Sequence, residues 1–176
     1  MHFCVQLINK HAYYIPVMVR LVHLVTLTGF AITILAQRAT LHYMPLGDSI
    51  TTLGCWRAFL WDKLQKGGYK QVHFVGTQTS TTACNGLNYD KNHEGHIGYL
   101  ASDIASKKQL VGWLKSAPAD IVTVFLGTND IWHKSQKTTD TLTAFSTLVD
   151  QMRDSNPKMR IIVGFPFIFL SAPPQN

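Results

Sequence analysis

IVTVFL, residues 121 to 126, is the stretch on which the fold turns. Six apolar or β-branched residues run together without a charge, as a strand buried on both faces of a parallel sheet should. Gly127-Thr128-Asn129-Asp130 follows at once as a turn. Working outward, Ser102 to Leu114 reads as a helix that Pro118 brings to a stop. Asp140 to Arg153 reads as an amphipathic helix with Leu142, Phe145, Leu148, Val149 and Met152 on one side, and Ile161 to Val163 opens a further strand. Toward the N-terminus, Val72 to Val75 and the short apolar run Leu41 to Leu46 are strand candidates. Between them Trp56 to Lys66 shows helical spacing of Phe59, Leu60 and Leu64, with Gly67-Gly68 as its stop. Residues 76 to 96 have little periodicity and are expected to form a long loop, which in a compact domain is usually functional. This alternation predicts an α/β protein with a parallel sheet and helices on both faces. Right-handed crossovers would gather the loops that follow the strands along one edge, where such sheets bind ligands.

The 176 residues suffice for one domain with a real core, and 46% apolar against 15% charged content excludes disorder. The formal charge of +6 is unevenly placed. Lys10, Arg20 and Arg38 stand among the first forty residues, which hold no acidic residue, and the remainder is only mildly basic. With no basic run or stripe, nucleic acid is not an expected partner. Residues 1 to 40 are expected to be a signal peptide or an N-terminal anchor with an upstream extension. Met18-Val-Arg20 supplies a start and a charge, and residues 21 to 36 an apolar stretch ending in small Ala36. That stretch is short for a membrane span, so secretion is the expectation, with a membrane as partner only if the segment is retained. A buried first helix is the alternative. Removal of such a leader takes Cys4 with it and leaves Cys55 and Cys84. A disulfide between these two fits an oxidising compartment; two buried thiols fit the residues as well.

Three glycine-bearing loops fall at the predicted ligand edge: Gly47-Asp48-Ser49, His93-Glu94-Gly95-His96-Ile97-Gly98, and Gly127 to Asp130. Taken singly each is ordinary. Ser49 could be the N-cap of the helix it precedes, and the third loop merely a turn. Together they hold what acyl transfer needs, a nucleophile and donors for the oxyanion of a tetrahedral intermediate. Ser49 offers a hydroxyl and its own N–H, Gly98 a backbone N–H, and Asn129 a side-chain amide. His93 and His96, with Glu94 between them, lack a third metal ligand in sequence, so loop hydrogen bonding is expected of them and no metal or other cofactor.

The order Gly-Asp-Ser, loop glycine, Gly-Thr-Asn-Asp resembles the GDSL, or SGNH, hydrolases. It is more closely similar to carbohydrate-esterase family three, the secreted acetylxylan esterases of fungi and bacteria. The likeness rests on MPLGDSIT followed by GCWRAFLWDKLQKGGY, on HFVGTQTS, HEGHIGYLASDIA and ADIVTVFLGTNDIW, and on TLVDQMRDSNPKMRIIV, covering residues 43 to 163. It implies a flavodoxin-like three-layer αβα sandwich and removal of O-acetyl groups from xylan or another small ester. It also implies Ser49 as nucleophile, with Ser49 N–H, Gly98 and Asn129 as the oxyanion hole. Gly95 competes with Gly98 within the same loop. Asp48 and Asp130 would support the loops, the latter by tying down neighbouring backbone N–H groups.

The family's base is a histidine in an Asp-x-x-His motif after the last strand, and this sequence has no histidine after His133. Asp130-Ile-Trp-His133 spells the motif, but it follows the third loop directly, and triad partners are defined by geometry rather than spelling. The expectation is therefore a hydrolase domain over residues 41 to 165, lacking its last strand and helix, with a non-homologous tail over 166 to 176. Such a chain would expose apolar surface and be poorly soluble. A carbohydrate-binding pseudo-enzyme or non-functional fragment is the alternative from another class. A lipid or thioester hydrolase keeps the same residues, but the polar stretch from Gly76 to Gly98 offers no apolar acyl groove.

Overall fold

The computed structural model describes residues 39–132 and 137–164. The expected leader except its last two residues, together with Cys4, His133 and the tail, lies outside them. Six strands and six helices occur among the described residues. In chain order these are β1 (Leu41–Gly47), α1 (Ser49–Thr52), α2 (Trp56–Lys66), β2 (Val72–Phe74), β3 (Gln78–Thr79) and β4 (Asn92–Gly95). Then come α3 (Ala101–Ser106), α4 (Gln109–Ser116), β5 (Ile121–Phe125), α5 (Thr128–Trp132), α6 (Thr138–Ser155) and β6 (Arg160–Val163).

The sheet runs β3-β4-β1-β5-β6, with β2 paired to the first half of β1. Every pairing is parallel except the short β3–β4 edge. β1 is the central strand and sets the register on both sides: Gly47 lies opposite Gly95 on one flank and opposite Phe125 on the other. Met44 and Leu46 face one layer, packing with Val122, Val124 and Leu126 against Ile104, Leu110, Leu114, Leu148 and Met152 from α3, α4 and α6. Tyr43, Val72 and Phe74 face the other layer, against Leu60, Trp61 and Leu64 of α2. Helices on both faces of a mostly parallel sheet make the three-layer α/β architecture.

Four expectations are corrected. Residues 76 to 96 are not wholly loop. The polar Asn92-His93-Glu94-Gly95 forms a strand because β1 offers it backbone partners, and pairing overrides weak intrinsic propensity. The helix expected over 102 to 114 is two helices, broken where Lys108 takes a left-handed φ of 52°. Leu142 and Phe59 are half-exposed; the buried face of α6 runs instead through Thr141, Ala144, Leu148, Gln151 and Met152. Last, IVTVFL is buried on one face only. Val122 and Val124 are in the core, while Thr123 and Phe125 line an apolar groove of about 500 Å³ with Tyr43, Ile50, Trp56 and Ile162.

A disulfide joins Cys55, at the head of α2, to Cys84, 29 positions further along the chain, with Cα atoms 5.5 Å apart. It anchors the irregular segment between β3 and β4 beside Ala58 and Tyr89. Closing a loop of that length in the unfolded chain corresponds to about 3–4 kcal/mol of stability. The double variant Cys55→Ser/Cys84→Ser is accordingly expected to lose about that much in urea denaturation. A loss under about 1 kcal/mol would show that the bridge is not formed or not stabilising.

Candidate active site

Because β4, β1 and β5 are neighbours in register, the loops that leave their C-terminal ends emerge side by side. Adjacent strands lie about 4.8 Å apart, so residues two to four positions past the Gly47–Gly95–Phe125 row converge on one small region. Those residues are Ser49, Gly98 and Asn129.

Ser49 is not the N-cap of α1. Asp48 is, its Oδ1 accepting the Ile50 N–H at 2.9 Å, and Ser49 is the first helical residue. Neither the hydroxyl nor the N–H of Ser49 is hydrogen-bonded among the described residues. Both remain available at the helix start, where backbone donors favour developing negative charge. Asp48 is almost fully buried, and burial pushes its carboxyl above the ordinary value, partly opposed by the Ile50 N–H and reinforced by the charge of Asp130. At the other end of α1 the buried Arg57 guanidinium donates to the Thr51 carbonyl. The turn that carries Ser49 is thus held at both ends.

The structure separates Gly95 from Gly98. Gly95 packs under α1, where an added Cβ would lie 2.7 Å from Thr52 Oγ1, and its N–H already donates to His93 Nδ1 at 3.0 Å. Gly98 has a left-handed φ of 78° and open space where a Cβ would be. Its N–H has no partner among the described residues. Only Gly98 presents a free donor.

Asn129 is buried, and its Nδ2 donates to the Tyr99 carbonyl at 2.9 Å. That bond uses one amide hydrogen, fixes the rotamer and leaves the second N–H uncommitted. Asp130 is fully buried and reaches across to α3. Its Oδ2 accepts the Ala101 N–H at 2.8 Å, and its Oδ1 accepts the Ser102 N–H at 3.0 Å and the Ser102 hydroxyl at 2.7 Å. Asp130 therefore ties α5, which carries Asn129, to α3, the helix after the Gly98 loop, and not to its own sequence neighbours.

The described histidines are engaged elsewhere. His93 is buried, accepts from Gly95, and burial lowers it to about 4, the Arg57 charge adding to the effect. His96 Nε2 lies 2.6 Å from Glu94 Oε1, and its ring stacks on Tyr99 at 4.7 Å and on Trp113 at 4.2 Å. Glu94 is fully buried and also accepts the Thr77 N–H and hydroxyl, each at 2.7 Å. His42 pairs with Asp120 and His73 with Asp90. None hydrogen-bonds Ser49. Sequence reasoning missed Arg57 and the structural part of Glu94. Arg57 sits inside an otherwise ordinary amphipathic helix, and only the lone acid within a glycine-rich stretch could have pointed to Glu94.

The model of the GDSL-like lipase/acylhydrolase family matches residues 46–176. No curated protein sequence matches the chain. Among solved structures the chain is similar to a serine-to-alanine mutant of an acetyl esterase crystallised with an acetate ion (32% identity, TM-score 0.65). It is similar too to a carbohydrate esterase family 3 protein from Talaromyces cellulolyticus (32%, 0.64) and a family 3 carbohydrate esterase from Clostridium thermocellum (32%, 0.61). Each match covers 70% of this chain, and the chain spans 61%, 61% and 60% of those three structures' own length. The family model's match spans most of the chain, and the chain belongs to the GDSL-like lipase/acylhydrolase family.

Proposed function

We propose that this chain is a serine esterase of the SGNH type that removes acetyl groups from carbohydrate. The observation that carries the reading is the set of uncommitted groups at three adjacent strand ends: the Ser49 hydroxyl and N–H, the Gly98 N–H and one Asn129 amide hydrogen. Ser49 Oγ attacks the ester carbonyl carbon and loses its proton to a base. The carbonyl oxygen becomes an oxyanion facing the three donors; the base then returns the proton to the sugar oxygen as its bond to the acyl carbon breaks, leaving the acyl-enzyme and a free sugar hydroxyl. Water then releases acetate and restores Ser49. The base lies outside the described residues in this reading. The acetyl-carbohydrate substrate rests on what the similar structures are named for. The Cys55–Cys84 bridge supports an extracellular setting.

The apolar groove beginning at Ile50 favours a second reading, a hydrolase of longer acyl chains. Hydrolysis of p-nitrophenyl acetate, butyrate and octanoate separates the two. The acetyl reading expects kcat/KM to fall by about tenfold or more from acetate to octanoate, and the reverse order would replace it with the lipid reading. No turnover of any ester would leave a carbohydrate-binding protein without catalysis.

A further inference from the structure

The oxyanion loop is also one wall of a second cavity. A space of about 370 Å³ opens against Ile97, Gly98, Tyr99 and Leu100, and continues over α3 to Asp103 and Lys107 and onto the first residue of α4, Gln109. That volume falls within the range of small-molecule sites, roughly 300–1,000 Å³. Its polar groups have a particular balance. Lys107 Nζ lies 3.0 Å from Asp103 Oδ2, so the one cation and the one anion in the lining neutralise each other. Asp103 Oδ1 and the Gln109 amide make no hydrogen bond with any other described residue. The cavity therefore offers a free carboxylate acceptor, an amide that both donates and accepts, and ammonium donors, without a net charge to attract an ionic ligand. Neutral molecules that carry several hydroxyls satisfy such a lining best, because each hydroxyl both donates and accepts.

The wall that joins this cavity to Gly98 is fixed in place. The Tyr99 carbonyl is held by Asn129, its N–H donates to the His96 carbonyl, and its ring stacks on His96. Tyr99 is still 38% exposed, so it presents surface to the cavity from a preorganised position. Gly98 lines this cavity and is also one of the donors of the proposed acyl site, so the two share that residue.

We propose that the cavity bounded by the Ile97–Leu100 loop, Asp103, Lys107 and Gln109 is a saccharide subsite, holding the uncharged sugar unit next to the one that carries the acetyl group. This rests on the carbohydrate-esterase reading for its orientation, but the binding it requires needs no turnover.

The test measures binding of unacetylated xylotriose to the full chain carrying Ser49→Ala, by backbone amide NMR and calorimetry. Chemical-shift changes are expected at Gly98, Asp103 and Gln109. Adding Asp103→Ala and Gln109→Ala is expected to weaken binding about 10- to 100-fold, the loss of one to two hydrogen bonds to the ligand. If the combined variant does not fold, Gln109→Ala alone is expected to weaken it about five-fold. Affinity within about two-fold of the parent, shifts confined to other surfaces, or preference for glucuronate or phosphate over xylotriose would overturn the subsite. Turnover of p-nitrophenyl acetate without xylotriose binding removes the subsite and leaves the esterase standing. Xylotriose binding lost in the variants without any turnover does the opposite.

Discussion

Ser49→Ala is expected to reduce acetate release from acetylated xylan by about 10⁴- to 10⁶-fold, the range found when a serine nucleophile is removed from an acyl-transfer enzyme. The protein itself should hardly notice. Asp48, not Ser49, caps α1, and the Ser49 hydroxyl has no hydrogen-bond partner among the described residues, so its removal strands no polar group. The melting transition should move by no more than the equivalent of about 0.5 kcal/mol. This separation is the diagnostic part. A serine kept as a cap would cost stability when replaced and leave chemistry alone; a serine kept as a nucleophile does the reverse. Acetate release by Ser49→Ala at a tenth or more of the parent rate would remove Ser49 from the reaction.

Asn129→Ala is expected to lower kcat by about 100- to 1000-fold, the cost of one preorganised oxyanion donor, with KM little changed. The donor acts on charge that exists only in the transition state, which is why the loss appears in kcat. Here a structural cost comes too. The variant loses the Nδ2 bond to the Tyr99 carbonyl in a site only 7% exposed, an expected destabilisation of about 1–2 kcal/mol. Asn129→Asp sharpens the test. It keeps the size, removes both amide hydrogens and sets a negative charge toward the oxyanion, so its kcat should fall below that of Asn129→Ala. Equal rates in Asn129→Ala and the parent would show that the amide serves only to hold Tyr99.

The elements that the sequence made legible were those whose periodicity one layer of packing decides. Trp56–Lys66 has the bounds its spacing and the following glycines predict, since a helix stopped by Gly67-Gly68 depends on local backbone freedom. IVTVFL is a strand for the same local reason. What it faces was not legible. Its continuous apolar run implies cover on both sides, yet Thr123 and Phe125 line an open groove among the described residues, because burial depends on which helix lies over the strand. β4 was missed for a related reason: Asn92 to Gly95 has no strand character of its own and becomes a strand only through its pairing with β1.

The sequence by itself determined the α/β class and the three residues expected to carry acyl transfer, because glycine turns after apolar strands are local features that topology then stacks at one edge. Tertiary structure alone decided how those residues are used. The separation of Gly98 from Gly95 required knowing that α1 covers one glycine and leaves the other open. The bond from Asp130 to α3 spans 29 residues, and the Asp48 cap that frees Ser49 is a matter of φ, ψ and hydrogen-bond direction. Sequence fixes which groups exist and roughly where the chain turns. Which of their donors are already spent depends on contacts between loops far apart in the chain, and those exist only after the sheet has set its register.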